Sequence, residues 1–222
     1  MADVHRAAGT QHDMIRSAVI MAGGLGSRMR RRDETATLEA SQVAAADAGV
    51  KGMIPIKRPF LDYVLSALAD AGITDVLLVI GPSHAAVRQY FTVEAPPHRV
   101  RLRFAVQPVP IGTANAVTVA ADTLGDTLGD TLGDTPFLVL NADNYYPVDA
   151  IRALAADDSA GVVAFDRDAL VRDGNIDAER VRAFAVLDVG EDGWLRGIIE
   201  KPGDAVDLTS ASAQWVGMNL WA

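Results

Sequence analysis

Short apolar runs without polar alternation, each followed by a helical segment, recur from residue 17 to residue 165, and they restrict this chain to very few folds. Ser17–Ala22 ends at Gly23-Gly24, Asp75–Ile80 ends at Gly81-Pro82, and Phe137–Leu140 runs into Asn141-Ala142-Asp143-Asn144. Val100–Gln107 is extended, with Arg101 and Arg103 alternating against apolar neighbours, and Gly161–Phe165 closes the series. Between these strands the spacing predicts helices over Pro59–Ala71, His84–Phe91, Gly112–Asp122 and Val148–Ala156. In the first of them Phe60, Tyr63, Val64, Ala67 and Leu68 share a face and Gly72 is the stop signal. Strands that are apolar on both sides belong in a parallel sheet covered by helices on both faces. Such sheets bind ligands outside the C-terminal ends of their strands. The loops after Ala22, Gln107 and Leu140 are therefore expected to share one rim.

The pattern changes after Phe165. Arg182–Val189 and Trp194–Glu200 are extended runs joined by Gly190-Glu191-Asp192-Gly193, which predicts an antiparallel hairpin, and Gln214–Trp221 predicts a last strand. The expected fold is a Rossmann-like three-layer αβα domain over residues 17–222. Its sheet is mixed and mostly parallel, with a small antiparallel C-terminal subregion beside it. Trp194, Trp215 and Trp221 are expected in its core. Residues 1–16 are polar and mixed, with no apolar h-region, and are expected to form a mobile N-terminal extension. The stretch 33–49 has helical periodicity and is expected to lie near the rim. Asp-Thr-Leu-Gly occurs three times in tandem from Asp122 to Gly133. That period is too short for a solenoid unit, so a surface loop is expected.

Charge and composition narrow the function. A formal net charge of -9 disfavours nucleic acid and anionic membrane as partners. The absence of cysteine removes disulfide scaffolds, thiolate zinc sites and cysteine nucleophiles, and fits a cytoplasmic protein. No apolar run reaches membrane-spanning length. The four histidines have no paired ligand spacing. Arg28, Arg30, Arg31 and Arg32 form a local basic cluster suited to a small anion.

That cluster follows Gly23-Gly24-Leu25-Gly26-Ser27-Arg28, directly after the first strand. Glycines let backbone N–H groups approach a phosphate, and Arg28 adds a permanently charged fork of donors. The loop lacks the Lys-Ser/Thr ending of a Walker motif and the Gly-x-Gly-x-x-Gly spacing of a dinucleotide fingerprint. Downstream come Lys51-Gly52-Met53-Ile54-Pro55-Ile56 and Arg58-Pro59-Phe60, then Gln107-Pro108 with Gly112-Thr113-Ala114. Asn141-Ala142-Asp143, Glu200-Lys201-Pro202 and Val216-Gly217-Met218-Asn219 complete the series. In order and spacing this set resembles the sugar-nucleotide pyrophosphorylases, the nucleoside-diphosphate-sugar nucleotidyltransferases, over residues 17 to 222. The stretch between Arg28 and Lys51 is longer than in that family.

The resemblance implies an enzyme that joins a nucleoside triphosphate to a sugar 1-phosphate, releasing pyrophosphate, with Mg²⁺ as cofactor. It places Arg28, Lys51, Asp143 and Lys201 in the catalytic set, with Asp143 as the metal ligand. Ala22, Gly23, Gly24, Gly26, Ser27, Gln107, Gly112 and Thr113 would bind the nucleotide. Asn141, Glu200, Lys201 and Gly217 would bind the sugar phosphate. In the family a second metal-binding aspartate lies farther on, with helices that often join subunits. This sequence has no counterpart, so it is expected to be C-terminally incomplete relative to the family, and a homo-oligomer stays open. Two other readings remain open: transfer to a non-sugar phosphate, and a non-catalytic nucleotide-binding regulator.

Overall fold

The computed structural model describes residues 14–24, 50–128, 136–157, 159–174, 176–200, 202 and 214–222. Gly26, Ser27, Arg28 and Lys201, residues 1–13 of the expected extension 1–16 and the stretch 33–49 lie outside the described residues, while residues 14–16 join the domain, with Ile15 buried and its N–H on the Ala155 carbonyl at 2.8 Å. Within the described residues, eight strands form one mixed sheet in the order β5-β4-β1-β6-β10-β8-β9, with β7 paired to β10. The strands are β1 (Ser17–Met21), β4 (Asp75–Ile80), β5 (Arg101–Val106), β6 (Leu138–Asn141), β7 (Val162–Asp166), β8 (Ala185–Val189), β9 (Leu195–Ile199) and β10 (Trp215–Trp221). A separate two-stranded ribbon, β2 (Pro55–Ile56) with β3 (Arg58–Pro59), turns at Lys57, a non-glycine residue with φ of 71°.

The first half of the sheet is parallel. β1 pairs with β4 on one edge and β6 on the other, and β4 pairs with β5. Successive residues of these strands point to opposite faces, and both faces are covered. Ile20, Leu78 and Leu140 join one core with Leu61, Leu65 and Leu68 of α1 (Phe60–Asp70), Val87 of α2 (Ala85–Gln89) and Ile151 of α4 (Val148–Ala155). Val19, Leu77, Val79 and Ala105 join the other with Ala116 and Ala120 of α3 (Thr113–Leu128). This is the expected three-layer arrangement, with small residues letting α3 approach the sheet.

The antiparallel strands form the expected small C-terminal subregion and share one sheet with the parallel strands. β10 pairs with β6 near its end, through Leu220 and Trp221, and with β8 near its start, through Val216 and Gly217. β7 lies against β10 along both stretches. A strand has two edges, so β6 and β8 follow one another along the same edge of β10. The β8–β9 hairpin therefore continues the line of β6 beyond its C-terminal end. The physical reason is the length of β10, which outruns β6 and offers its free edge to a second strand.

Three expectations change. The helix predicted to stop at Asp122 continues to Leu128, through the first Asp-Thr-Leu-Gly copy and into the second. A single helical glycine costs about 1 kcal/mol, less than abandoning a helix already nucleated and packed. Two short helices, α5 (Arg167–Arg172) and α6 (Ala178–Val181), have too little apolar periodicity to be read. Each is opened by an aspartate: Asp166 accepts from the Ala169 N–H at 2.7 Å and Asp177 from the Glu179 N–H at 2.8 Å. Trp194 is not a core residue. It is 65% exposed, at the turn that leads into the edge strand β9.

Candidate active site

The C-terminal ends of β1, β5 and β6 carry the predicted site residues to one rim. The Ala22 N–H bonds the Val79 carbonyl at 2.8 Å, which keeps the chain in the sheet for one residue past β1. Gly23 is buried and Gly24 is exposed. On the neighbouring side the Gln107 N–H bonds the Ile80 carbonyl at 2.9 Å. The Gln107 side chain then reaches back toward β1. A Cβ at position 23 would stand 2.9 Å from its Oε1, so glycine is what permits this approach.

The Gln107 carboxamide is only 4% exposed. Its Nε2 donates to the Gly112 carbonyl at 3.2 Å and to Asn115 Oδ1 at 2.9 Å. Gly112 has φ of 128°, a conformation suited to glycine, and open space lies where its Cβ would be. Thr113, exposed, is the first residue of α3. Gln107, Gly112 and Asn115 thus form one hydrogen-bonded cluster, with Gly23 packed closely against Gln107.

The end of β6 builds the second cluster. The Ala142 N–H bonds the Met21 carbonyl at 3.2 Å, so Asp143 is the first residue released from the sheet. The 3₁₀ turn Lys51–Met53 packs directly on this point: a Cβ at Gly52 would lie 3.1 Å from the Ala142 carbonyl oxygen. That contact sets Lys51 Nζ 2.9 Å from Asp143 Oδ2. Both side chains remain open to solvent, at 46% and 36%. Among the described residues, no group of three or more His, Asp or Glu is placed to hold a metal ion by protein ligands alone. A single rim carboxylate beside a cation fits Mg²⁺ bound mainly through ligand phosphates, the usual mode for this ion.

Tyr146 supports the Asp143 turn from below. It is 1% exposed, and its hydroxyl oxygen accepts from the Asn141 N–H at 3.4 Å and from Asn144 Nδ2 at 3.3 Å. Burial pushes the phenol pKa up to about 12, with Asp143 adding to the rise and the two donated hydrogen bonds opposing it. Folding thus favours the neutral phenol. Its contribution is complete below the unfolded tyrosine value near 10 and is lost as pH rises toward 12. Stability should fall by about 1–3 kcal/mol across that window, and by less in Tyr146→Phe. Denaturant midpoints from pH 8 to 12 check this, and identical pH profiles for the two proteins would reject it.

The described residues Glu200 and Gly217, expected to bind the sugar phosphate, reach the same end of the sheet by another route. Phe165, Val216, Val186 and Ile199 form one row across β7, β10, β8 and β9, and Glu200, exposed, follows Ile199. Gly217 sits one step from that row, ahead of Leu220 and so beyond the end of β6. The space of its missing side chain is filled by Leu187, whose Cδ2 would be 3.2 Å from a Cβ. Asn141 pairs with Met21 at the strand end. Asn115, Tyr146 and Gly52 are the site-forming residues that motif reading passed over. Only Gly52, inside the Lys51 motif, carried a visible signal.

The sequence profile of the nucleotidyl transferase family matches residues 17–216. The low-salt glycan biosynthesis nucleotidyltransferase of Haloferax volcanii is 25% identical over 190 residues, covering 84% of this chain and 44% of that protein. The glucose-1-phosphate thymidylyltransferase of Streptomyces antibioticus is 29% identical, covering 83% of this chain and 44% of that protein. The chain thus spans less than half the length of these two relatives. In fold it is similar to the UTP-bound UGPase from Acinetobacter baumannii, with a TM-score of 0.64 at 22% identity, covering 94% of this chain and 74% of that one. No helix among the described residues is long and apolar enough to cross a membrane. With the profile matched from β1 into β10 and its described motif residues gathered at one rim, the chain belongs to the nucleotidyl transferase family, that of the sugar-nucleotide pyrophosphorylases it resembles.

Proposed function

We propose that this chain is a sugar-1-phosphate nucleotidyltransferase: it joins a nucleoside triphosphate and a sugar 1-phosphate into a nucleoside-diphosphate sugar and releases pyrophosphate. The observation that carries this reading is the Lys51–Asp143 pair, 2.9 Å apart at the end of β6 and one strand from the Gly-rich loop. A cation and a carboxylate side by side at a phosphate-binding rim are what charge neutralisation at an α-phosphate requires. Both stand in segments that resemble the family's motifs, and the relatives named above are nucleotidyltransferases by name.

In this reading an oxygen of the sugar phosphate attacks the α-phosphorus. A new P–O bond forms as the bond to the bridging α–β oxygen breaks, and pyrophosphate leaves in line. The attacking group is already ionised, so no general base is needed. The task is to bring two anions together and hold them in line. Ala22, Gly23, Gly24, Gly26 and Ser27 are the residues that would bind the triphosphate, with Ala22, whose N–H is held by the Val79 carbonyl, anchoring the loop to the sheet. Arg28 and Lys51 offset its charge. Asp143 would hold Mg²⁺ together with phosphate oxygens, and the ion would supply charge neutralisation on the triphosphate. Gln107, Gly112 and Thr113 contact the base. Asn141, Glu200, Lys201 and Gly217 hold the sugar phosphate, with Glu200 accepting from sugar hydroxyls. A cytoplasmic setting, where both substrates are made, suits this chemistry.

Pyrophosphate release across a panel of nucleoside triphosphates and sugar 1-phosphates tests the reaction. Release that requires one triphosphate and one sugar phosphate supports it. Release with a non-sugar phosphate in its place, or nucleotide binding without release on the full-length protein, overturns it. Arg28→Ala should weaken triphosphate binding by about 1.5–3 kcal/mol, the range for a charge-assisted contact, and leave sugar-phosphate binding nearly unchanged. Titration calorimetry with each ligand decides it, and equal losses for the two would remove Arg28 from the triphosphate.

A further inference from the structure

We propose that Asn115 is a positioning residue that leaves Gln107 with only an acceptor to offer. The rim then selects a nucleobase bearing a ring N–H, as uracil, thymine and guanine do, over adenine and cytosine, whose corresponding ring nitrogen is a bare acceptor. The inference rests on the reading of Gln107 as a base contact.

A carboxamide has two N–H donors and one oxygen, and its two ends have nearly the same shape. A free Gln can turn either end to a ligand and so accept either class of base. Gln107 is not free. The Gly112 carbonyl, which can only accept, takes one Nε2 hydrogen at 3.2 Å. Turning the amide over would set Oε1 against that oxygen, two acceptors face to face in a nearly buried place. Gly112 therefore decides which way the amide points.

One donor would still be left over, and Asn115 removes it. Its Oδ1 takes the Nε2 group at 2.9 Å, from the first turn of α3. What remains is Oε1, turned toward Gly23 where the Gly-rich loop leaves β1. Gly23 has no side chain to stand between Oε1 and the loop. An acceptor in that position pairs with a ring N–H and is repelled by a ring lone pair. The rejected base also leaves Oε1 without a partner, which is the kind of mismatch that discriminates strongly.

The test is equilibrium binding of the uridine, thymidine, guanosine, adenosine and cytidine triphosphates, with Mg²⁺, to the whole chain and three variants. The wild type should bind at least one ring-N–H nucleotide about ten-fold or more tighter than the adenosine and cytidine nucleotides. Asn115→Ala frees one Nε2 hydrogen, which can serve a ring acceptor, and should shrink that ratio to about three-fold or less. Asn115→Asp keeps an acceptor at the same place and should restore the ratio. A merely structural role for Asn115 would lower the thermal midpoint or weaken every nucleotide alike, without moving the ratio. Tight binding of the adenosine or cytidine nucleotide by the wild type overturns the proposal. So does an unchanged ratio in Asn115→Ala with an unchanged thermal midpoint. Gln107→Ala separates the two levels: if it alters no nucleotide's affinity, the base-contact reading itself fails.

Discussion

Asp143→Asn is expected to abolish Mg²⁺-dependent tightening of triphosphate binding while leaving the fold intact. In the free protein Asp143 is paired with Lys51 at 2.9 Å, and both groups are well exposed. Exposed pairs of this kind contribute about 0–1 kcal/mol, so losing one should move the thermal midpoint very little. The metal effect is different in kind. One carboxylate cannot strip the water shell of Mg²⁺, and here a lysine ammonium already sits on it. The ion alone should therefore bind negligibly. A triphosphate changes the balance, because its oxygens give Lys51 a stronger partner and supply further metal ligands. Metal and nucleotide should then bind cooperatively, by about ten-fold to a hundred-fold, the 1–3 kcal/mol typical of coupled sites. Asparagine keeps the shape of aspartate but not its charge, so the coupling should disappear. Calorimetric titrations of metal with and without triphosphate measure this directly. Equal metal affinity in wild type and Asp143→Asn would remove Asp143 as the ligand.

The second large effect is on stability. Leu140 is fully buried and pairs with Ile20 on one side and Leu220 on the other. It stands where the parallel half of the sheet meets the antiparallel half, one residue from the end of β6. Shortening it to alanine removes apolar contacts and leaves a cavity walled by strands on both sides, which cannot collapse easily. Such changes cost about 2–5 kcal/mol. For a domain of this size that is a fall of roughly 5–20 °C in thermal midpoint. Differential scanning calorimetry of Leu140→Ala provides the check, and a fall under about 2 °C would mean that the β6–β10 junction relaxes freely. The pair of variants separates delivery from chemistry: one lowers stability, the other removes metal coupling at constant stability.

The central strands were readable because burial on both faces leaves their middles almost wholly apolar, and the edge strand β5 because Arg101 and Arg103 alternate with apolar residues. Asp75–Ile80 is observed over the predicted residues, and the four major helices begin or end within a few residues of their capping or glycine signals. The Gly190–Gly193 turn announced the β8–β9 hairpin through its residue types. The site was readable as motifs: Gly23-Gly24, Lys51, Gln107 and Asp143 each stand at a strand end or an adjacent turn. Asn115 was not readable, because an asparagine in the first turn of a helix is ordinary until the glutamine it bonds is known. Tyr146 was hidden for a related reason, since its hydroxyl serves a turn made by Asn141 and Asn144 and has no pattern of its own.

The sequence by itself determined the alternation of strand and helix, the rim that carries the candidate site and the family to which the chain belongs. Those depend on local hydrophobicity and on short motifs whose spacing is fixed within a few residues. The tertiary structure decided what joins across distance. It set Lys51 against a carboxylate 92 residues away, because Gly52 packs on Ala142. It placed the hairpin along β10 beyond the end of β6, because β10 outlasts β6 and has an edge to fill. It committed both donors of Gln107 to Gly112 and Asn115, because a buried amide must spend its hydrogens on the nearest oxygens. Strand edges, close packing and hydrogen-bond satisfaction are properties of neighbours in space, and neighbours in space are settled only when the chain has folded.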